Sequence, residues 1–150
     1  MYVDQLVSYQ VMQLNSKLNA QARTILARHG DLSLAEWRLI RMMGLDPSLA
    51  AKQVRDIIGL DKGQFSKTVA ALEQKGLIKI TPDPVDRRRI QLSLTKKGQA
   101  THQRIAPNIG QRNEHLLSML SEREQNQFFK TLKKLDQAAS DLSFLDPTTN

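Results

Sequence analysis

The spacing of apolar residues changes once along this chain, and the position of the change limits the folds it can adopt. Up to Gly76 the apolar side chains recur at three- and four-residue intervals, the spacing of one helix face. Beyond it, Leu77, Ile78 and Ile80 lead into Thr81-Pro82-Asp83-Pro84. No helix passes that segment, because proline lacks an amide donor and clashes with the preceding turn. On the far side Arg89, Gln91 and Ser93 alternate with Ile90, Leu92 and Leu94, the period-two pattern of a half-buried strand. The two strands make a hairpin whose tip is rich in proline and arginine, a wing.

The helical part divides at recognisable stops. From Asp4 to about Arg28, Leu6, Val7, Val11, Leu14, Leu18, Ile25 and Leu26 mostly keep helical spacing, and Gly30 is expected to close that helix in a left-handed cap. Ser33-Leu34-Ala35-Glu36 has the form of a capping box and opens a helix through Trp37, Leu39, Ile40 and Met43 that ends near Gly44. Asp46-Pro47 marks a loop. A short helix fits Ala51 to Ile58, closed by Gly59. Asp61 then caps a helix of about Lys62 to Lys75, ended by Gly76. Two short helices joined by a glycine-containing turn form a helix-turn-helix.

After the hairpin, Thr95 caps another helix that Pro107 is expected to kink or break, with helix resuming through Leu116, Leu117 and Leu120. Ser121-Glu122-Arg123-Glu124 is a second capping box, opening a last helix with Phe128, Phe129, Leu132 and Leu135 on one side. Asp146 to Asn150 is expected to fray. The fold expected is mainly α with a small β-hairpin wing (α+β), a winged helix-turn-helix. Aromatic residues make up only 5% of the chain and apolar residues come as helical stripes, so part of the burial is expected between subunits.

Charge narrows the function. The formal net charge is +7, and between Lys52 and Lys97 there are 11 Lys and Arg against 5 Asp and Glu, so nearly all the excess lies in the central third. A basic block inside a folded segment suits a polyanion. There is no cysteine, which excludes disulfides, thiolate metal sites and thiol chemistry. The first residues lack the order of a secretory signal, and no apolar run reaches the ~18 residues of a membrane span. A soluble, cytoplasmic protein without membrane partner is expected. His29, His102 and His115 lie on separate segments, His102 and His115 read as exposed helix residues, and no phosphate loop or nucleophile motif is present. No enzyme, cofactor or metal site is expected.

The second helix of the pair carries the candidate reading surface. Phe65, Val69 and Leu72 fall on one inward face. Gln64, Ser66, Lys67 and Thr68 are left on or beside the outward face, in the half where a major-groove reader needs donors and acceptors. Lys62 suits a phosphate contact, and Gly63 allows close approach of backbone to an anion at the helix N-terminus. Gln64, three residues after Asp61, is equally placed to complete a cap. In the wing, Arg87, Arg88 and Arg89 suit the negative potential of a narrow minor groove, with Asp86 placed to orient Arg88 by a bidentate pair.

These residues resemble the MarR family of bacterial and archaeal regulators over roughly Leu32 to Ala100, with weaker similarity in the flanking helices. The resemblance rests on Trp37, on Gly59-Leu60-Asp61-Lys62, on Leu72-Glu73-Gln74-Lys75-Gly76-Leu77-Ile78, on Asp83-Pro84-Val85-Asp86-Arg87-Arg88, and on Leu94-Thr95-Lys96-Lys97-Gly98. It implies a sequence-specific regulator of transcription, a homodimer whose first and last helices interlock over 1–30 and 101–146. The winged helix-turn-helix then occupies 31–100, and two such lobes grip a pseudo-palindromic operator on double-stranded DNA. It carries over Gln64, Ser66 and Lys67 as major-groove readers and Arg88, paired to Asp86, as the minor-groove arginine. It also implies that such a protein often represses and often releases DNA when a small anionic aromatic or an oxidant binds between the lobes. Tyr9, Trp37 and Arg41 are candidates to line such a pocket; core or surface packing competes for each. Two positions depart from the family. Arg55 stands where a small alanine is usual and is a candidate phosphate contact, and Gly63 replaces a small hydroxyl residue.

Overall fold

The computed structural model describes residues 6–83 and 90–145, together with Tyr2 and Asp86. Within them run α1 (Val7–His29), α2 (Leu34–Leu45), α3 (Ala51–Ile58), α4 (Lys62–Gln74), β1 (Ile78–Pro82), β2 (Ile90–Leu94), α5 (Lys96–Ser118) and α6 (Glu122–Ala139), then a short 3-10 turn over Ser143–Leu145. Asp4, Pro84, Val85, the three wing arginines and Asp146 to Asn150 lie outside the described residues. The chain divides into two compact units, Met1–Ile109 and Gly110–Asn150.

In the first unit the local signals act as read. The Ser33 hydroxyl accepts the Glu36 amide at 3.2 Å while the Glu36 carboxylate accepts the Ser33 amide at 2.7 Å, satisfying two orphan donors of α2. Gly59 closes α3 at φ +70°, a conformation that costs most other residues about 1–2 kcal/mol. The strands pair antiparallel from Ile78 opposite Leu94 to Pro82 opposite Ile90. Ile78 and Leu92 are buried on the inner face; Ile90, expected inward, is 43% exposed at the outer end of its strand.

Three expectations change. Gly30 is extended (φ −178°), not left-handed. It is small for a different reason: a Cβ there would meet Ile105 Cδ1 at 3.3 Å, and the neighbouring His29 carbonyl accepts Arg104 Nε of α5 at 2.9 Å. Pro107 does not break the helix, since α5 continues through it as one element. Proline removes a single amide donor, and helical bonding on both sides carries the segment past it. His102, expected to be exposed, is half-buried against α2.

The core gathers Leu26 of α1, Trp37, Leu39, Ile40 and Met43 of α2, and Val54 of α3. To these it adds Phe65, Val69 and Leu72 of α4, Ile78 and Leu92 of the hairpin, and Ile105 of α5. The amphipathic α2 is at its centre, contacting α1, α3, α4 and β2. Arg38 ties it to α1 through Asn19 at 2.6 Å. Thr95 joins the hairpin to α5: its hydroxyl donates to the Gly76 carbonyl at 2.7 Å and accepts the Gly98 amide at 3.0 Å.

The second unit holds the end of α5 and α6. The Ser121–Glu124 capping box is formed, with the carboxylate accepting the Ser121 amide at 2.8 Å. No residue of α6 is buried, and Phe128, Phe129, Leu132 and Leu135 are all at least 40% exposed.

Candidate nucleic-acid interface

The candidate reading helix α4 is held by its inner face and presents the other. Phe65, Val69 and Leu72 are buried in the core, whereas Lys62, Gly63, Gln64, Ser66 and Lys67 are exposed. Asp61 Oδ1 accepts the Gln64 amide at 2.8 Å, so the first turn is capped by the aspartate. The reciprocal bond from the Gln64 side chain, which would complete a box, is not formed, leaving that amide group outward. Thr68 does not belong to the exposed row. It is 8% exposed, and its hydroxyl donates back to the Gln64 carbonyl at 2.8 Å. Its position three residues after Phe65 and one before Val69 turns it towards the body.

A Cβ on Gly63 would come within 3.3 Å of Asp61 Oδ1. Glycine therefore protects the cap as well as leaving the backbone open to an anion. On α3, Arg55 directs Nε and Nη2 to Asp56 Oδ1 at 3.2 and 3.0 Å, with its side chain 20% exposed. Arg55 borders a cleft of about 870 Å³ between α3 and the hairpin, which Lys52, Phe65, Thr81 and Gln91 also line. An ion pair of this sort is worth little, so a phosphate can replace Asp56 as its partner.

At the hairpin, Arg87, Arg88, Arg89 and hence the Asp86–Arg88 pairing lie outside the described residues. Asp83 has a role that sequence reasoning missed: Oδ1 accepts the Asp86 amide at 3.0 Å and Oδ2 the Gln91 side chain at 3.4 Å. It links the outgoing and returning sides of the wing, in the manner of an Asx turn.

The candidate effector residues separate. Trp37 is 3% exposed, a core residue with its indole stacked on the His102 imidazole (centroids 6.0 Å, planes 18° apart). Arg41 Nη1 lies 3.1 Å from His102 Nε2. Tyr9 stands ten residues before Asn19, the point where α1 meets Arg38, roughly 15 Å back along the helix. One chain thus brings Trp37 and Arg41 together around His102 and leaves Tyr9 apart. Burial, then the Arg41 charge, push the His102 pKa below its ordinary value. Neutral His102 accepts through Nε2 from Arg41, which assigns its proton to Nδ1.

Among the described residues no group of three His, Asp or Glu is gathered to hold a metal ion, and no helix is long and apolar enough to cross a membrane. The sequence model of the MarR family matches residues 30–89, the segment from Gly30 through the reading helix to the wing. Over that segment the chain is similar to the MarR family. It is similar to a putative transcriptional regulatory protein for the hcr operon of Thauera aromatica, 28% identical over 114 residues, 76% of this chain and 68% of that one. Its fold superposes on a MarR/EmrR family transcriptional regulator from Acinetobacter sp. ADP1 with a TM-score of 0.85, at 28% identity over 93% of this chain and 99% of the other. It also matches the fold of S. aureus MepR, solved as a DNA complex, with a TM-score of 0.79 at 21% identity over 89% and 98% of the two chains. The chain accordingly shares the winged-helix fold of these transcription regulators.

Proposed function

We propose that the protein is a homodimeric repressor that binds a pseudo-palindromic operator, reading the major groove with Gln64, Ser66 and Lys67. The carrying observation is the row Lys62, Gln64, Ser66 and Lys67, exposed at the N-terminal half of a helix whose other face is locked into the core. Rigid backing is what a base-reading side chain needs for its hydrogen bonds to discriminate. Arg87, Arg88 and Arg89 take the flanking minor groove, Asp86 orients Arg88, and Arg55 takes a phosphate. Residues 31–100 form the DNA-binding region, and 1–30 with 101–146 form the dimer.

Exposed apolar side chains support the dimer. Val7, Val11 and Leu14 of α1 and Phe128, Phe129, Leu132 and Leu135 of α6 are each 40–53% exposed, an apolar surface that monomers rarely leave to water. Sedimentation of the full chain should give twice the 17.0 kDa chain mass. Glutamate at both Val11 and Leu14 should shift it towards monomer and poor solubility; an unchanged mass would remove α1 from the interface. In this reading a small anionic effector acts beside Trp37 and Arg41, with Tyr9 drawn in only from elsewhere in the dimer.

The test is selection from a random-sequence duplex pool in ~150 mM salt, where purely electrostatic binding is weakened. Enrichment of an inverted repeat with half-sites about one helical turn apart is expected. Binding without enrichment would exclude sequence-specific reading. On the selected duplex, Gln64→Ala should relax base preference, while Lys67→Ala and Arg88→Ala should each lower the salt slope by about one unit. Unchanged titrations for all three would move the interface elsewhere.

A further inference from the structure

We propose that His102 is a proton-operated latch: as a neutral imidazole it fastens α5 to α2, and protonation releases it and weakens DNA binding. The geometry is specific to this side chain. Its ring lies on Gly44, where a Cβ would be 2.6 Å from the imidazole, so the glycine makes room for the ring against α2. One face stacks on Trp37, and Nε2 meets Arg41 Nη1 at 3.1 Å. That last contact works only while the imidazole is neutral. Imidazolium has two donors and no acceptor, and it would set a second cation against a guanidinium that is always charged.

Among the described residues the surroundings offer no counter-charge. The ring borders a cavity of about 340 Å³ between α2, β2 and α5, whose lining from Met43, Gly44 and Pro47, from Leu92, Ser93 and Leu94, and from Gln99 and Gln103 is uncharged. Arg41 from α2 is the charged group that faces His102, and no acid from any of the three elements does. The same cavity gives a charged ring somewhere to swing, towards the Ser93, Gln99 and Gln103 side chains. Burial and Arg41 both hold the pKa of His102 down. The unfolded chain therefore takes the proton first. Stability falls as pH drops through the ordinary histidine value of about 6.5 and levels off below the lowered folded value.

What moves follows from position. α2 supports α3, α4 and β2, so it carries both the reading helix and the inner strand of the wing. α5 carries His102 within 101–146, the segment assigned to the dimer. Loosening α2 from α5 therefore frees the reading surface from the part of the chain that sets half-site spacing. This last link rests on the DNA-binding reading above; the latch itself does not.

The chain has a single tryptophan, Trp37, and it stacks on the latch, so indole emission reports the imidazole directly. Release of the ring on protonation takes the imidazole off the indole and changes its emission. The full chain should show emission titrating with a midpoint below the usual histidine range, and His102→Gln should abolish that titration while His29→Gln and His115→Gln keep it. Arg41→Met should raise the midpoint, and it serves equally if the glutamine variant does not fold. A flat emission profile in the parent, or one unchanged by both His102→Gln and Arg41→Met, overturns the proposal. With a fluorescein-labelled duplex from the selection, affinity should fall about five- to tenfold from pH 7.5 to 5.5 in the parent, a change equivalent to up to one pKa unit. In His102→Gln it should not fall. Tight binding at pH 7.5 with no acid loss rejects the coupling and leaves the DNA-binding function standing. An emission titration in a protein that selects no duplex rejects the function and leaves the latch.

Discussion

Gly98→Ala should destabilise the protein by on the order of 3 kcal/mol, the upper range for forcing a group into a packed site. The added Cβ would lie 2.0 Å from the Leu77 carbonyl oxygen and 3.0 Å from its carbon, both backbone atoms that no rotamer change can move aside. The Leu77 carbonyl also accepts the Thr95 amide at 3.1 Å, so any shift that relieves the clash pulls on the junction between hairpin and α5. In a urea titration at fixed protein concentration, the midpoint should drop with no change in slope. Gly110→Ala, in the same helix with nothing within 4 Å of its Cβ, should instead gain about 0.5–1 kcal/mol from helix propensity. If the two variants behaved alike, the close approach of α5 to the end of the reading helix would be wrong.

The second large effect should come from Lys75, at the C-terminal end of the reading helix. Its Nζ donates to Glu36 Oε2 at 2.9 Å and to the Asp31 carbonyl at 2.8 Å, while its own carbonyl accepts Lys97 Nζ at 2.7 Å. Glu36 is 5% exposed, and its carboxylate also serves the capping box of α2. Lys75→Met keeps the aliphatic stem and removes the cation, leaving a buried carboxylate with only an amide partner. We expect a loss of about 2–3 kcal/mol, below the full range for breaking a buried pair, because the lysine side chain is itself 36% exposed. Glu36→Gln in the Lys75→Met background should recover part of that loss, because a neutral amide does not need the cation. Additive effects in the double-mutant cycle would show that the two side chains do not act together.

Both sites illustrate what a linear reading misses. Glu36 was legible as the third residue after Ser33 in a capping box, but its second role depends on a lysine 39 positions away. Gly98 was legible as part of a family motif, without the reason for its size. Gly30 has the place of a left-handed helix stop, yet its smallness answers to Ile105. Thr68 sits beside a hydrophilic row and by sequence belongs with it, although its hydroxyl satisfies itself inside α4 and leaves the side chain free to be buried. By sequence His102 is an exposed helix residue, because nothing near it along the chain signals the indole and guanidinium that α2 brings to it.

The sequence alone determined the order and type of the elements. The capping residues Ser33, Asp61 and Ser121, the left-handed Gly59 and Gly76, and the switch to alternation after Gly76 each act within about four residues of themselves. Such signals survive whatever the rest of the chain does, and so does the basic block that pointed to a polyanion. Only the tertiary structure decided which side chains of those elements lose water. Whether Thr68, Trp37 or His102 is available to a ligand, and whether Gly98 tolerates a methyl group, depends on which surfaces meet across separations of tens of residues. Burial is a property of the meeting surfaces, and a helix carries no local mark of the neighbour that will cover it.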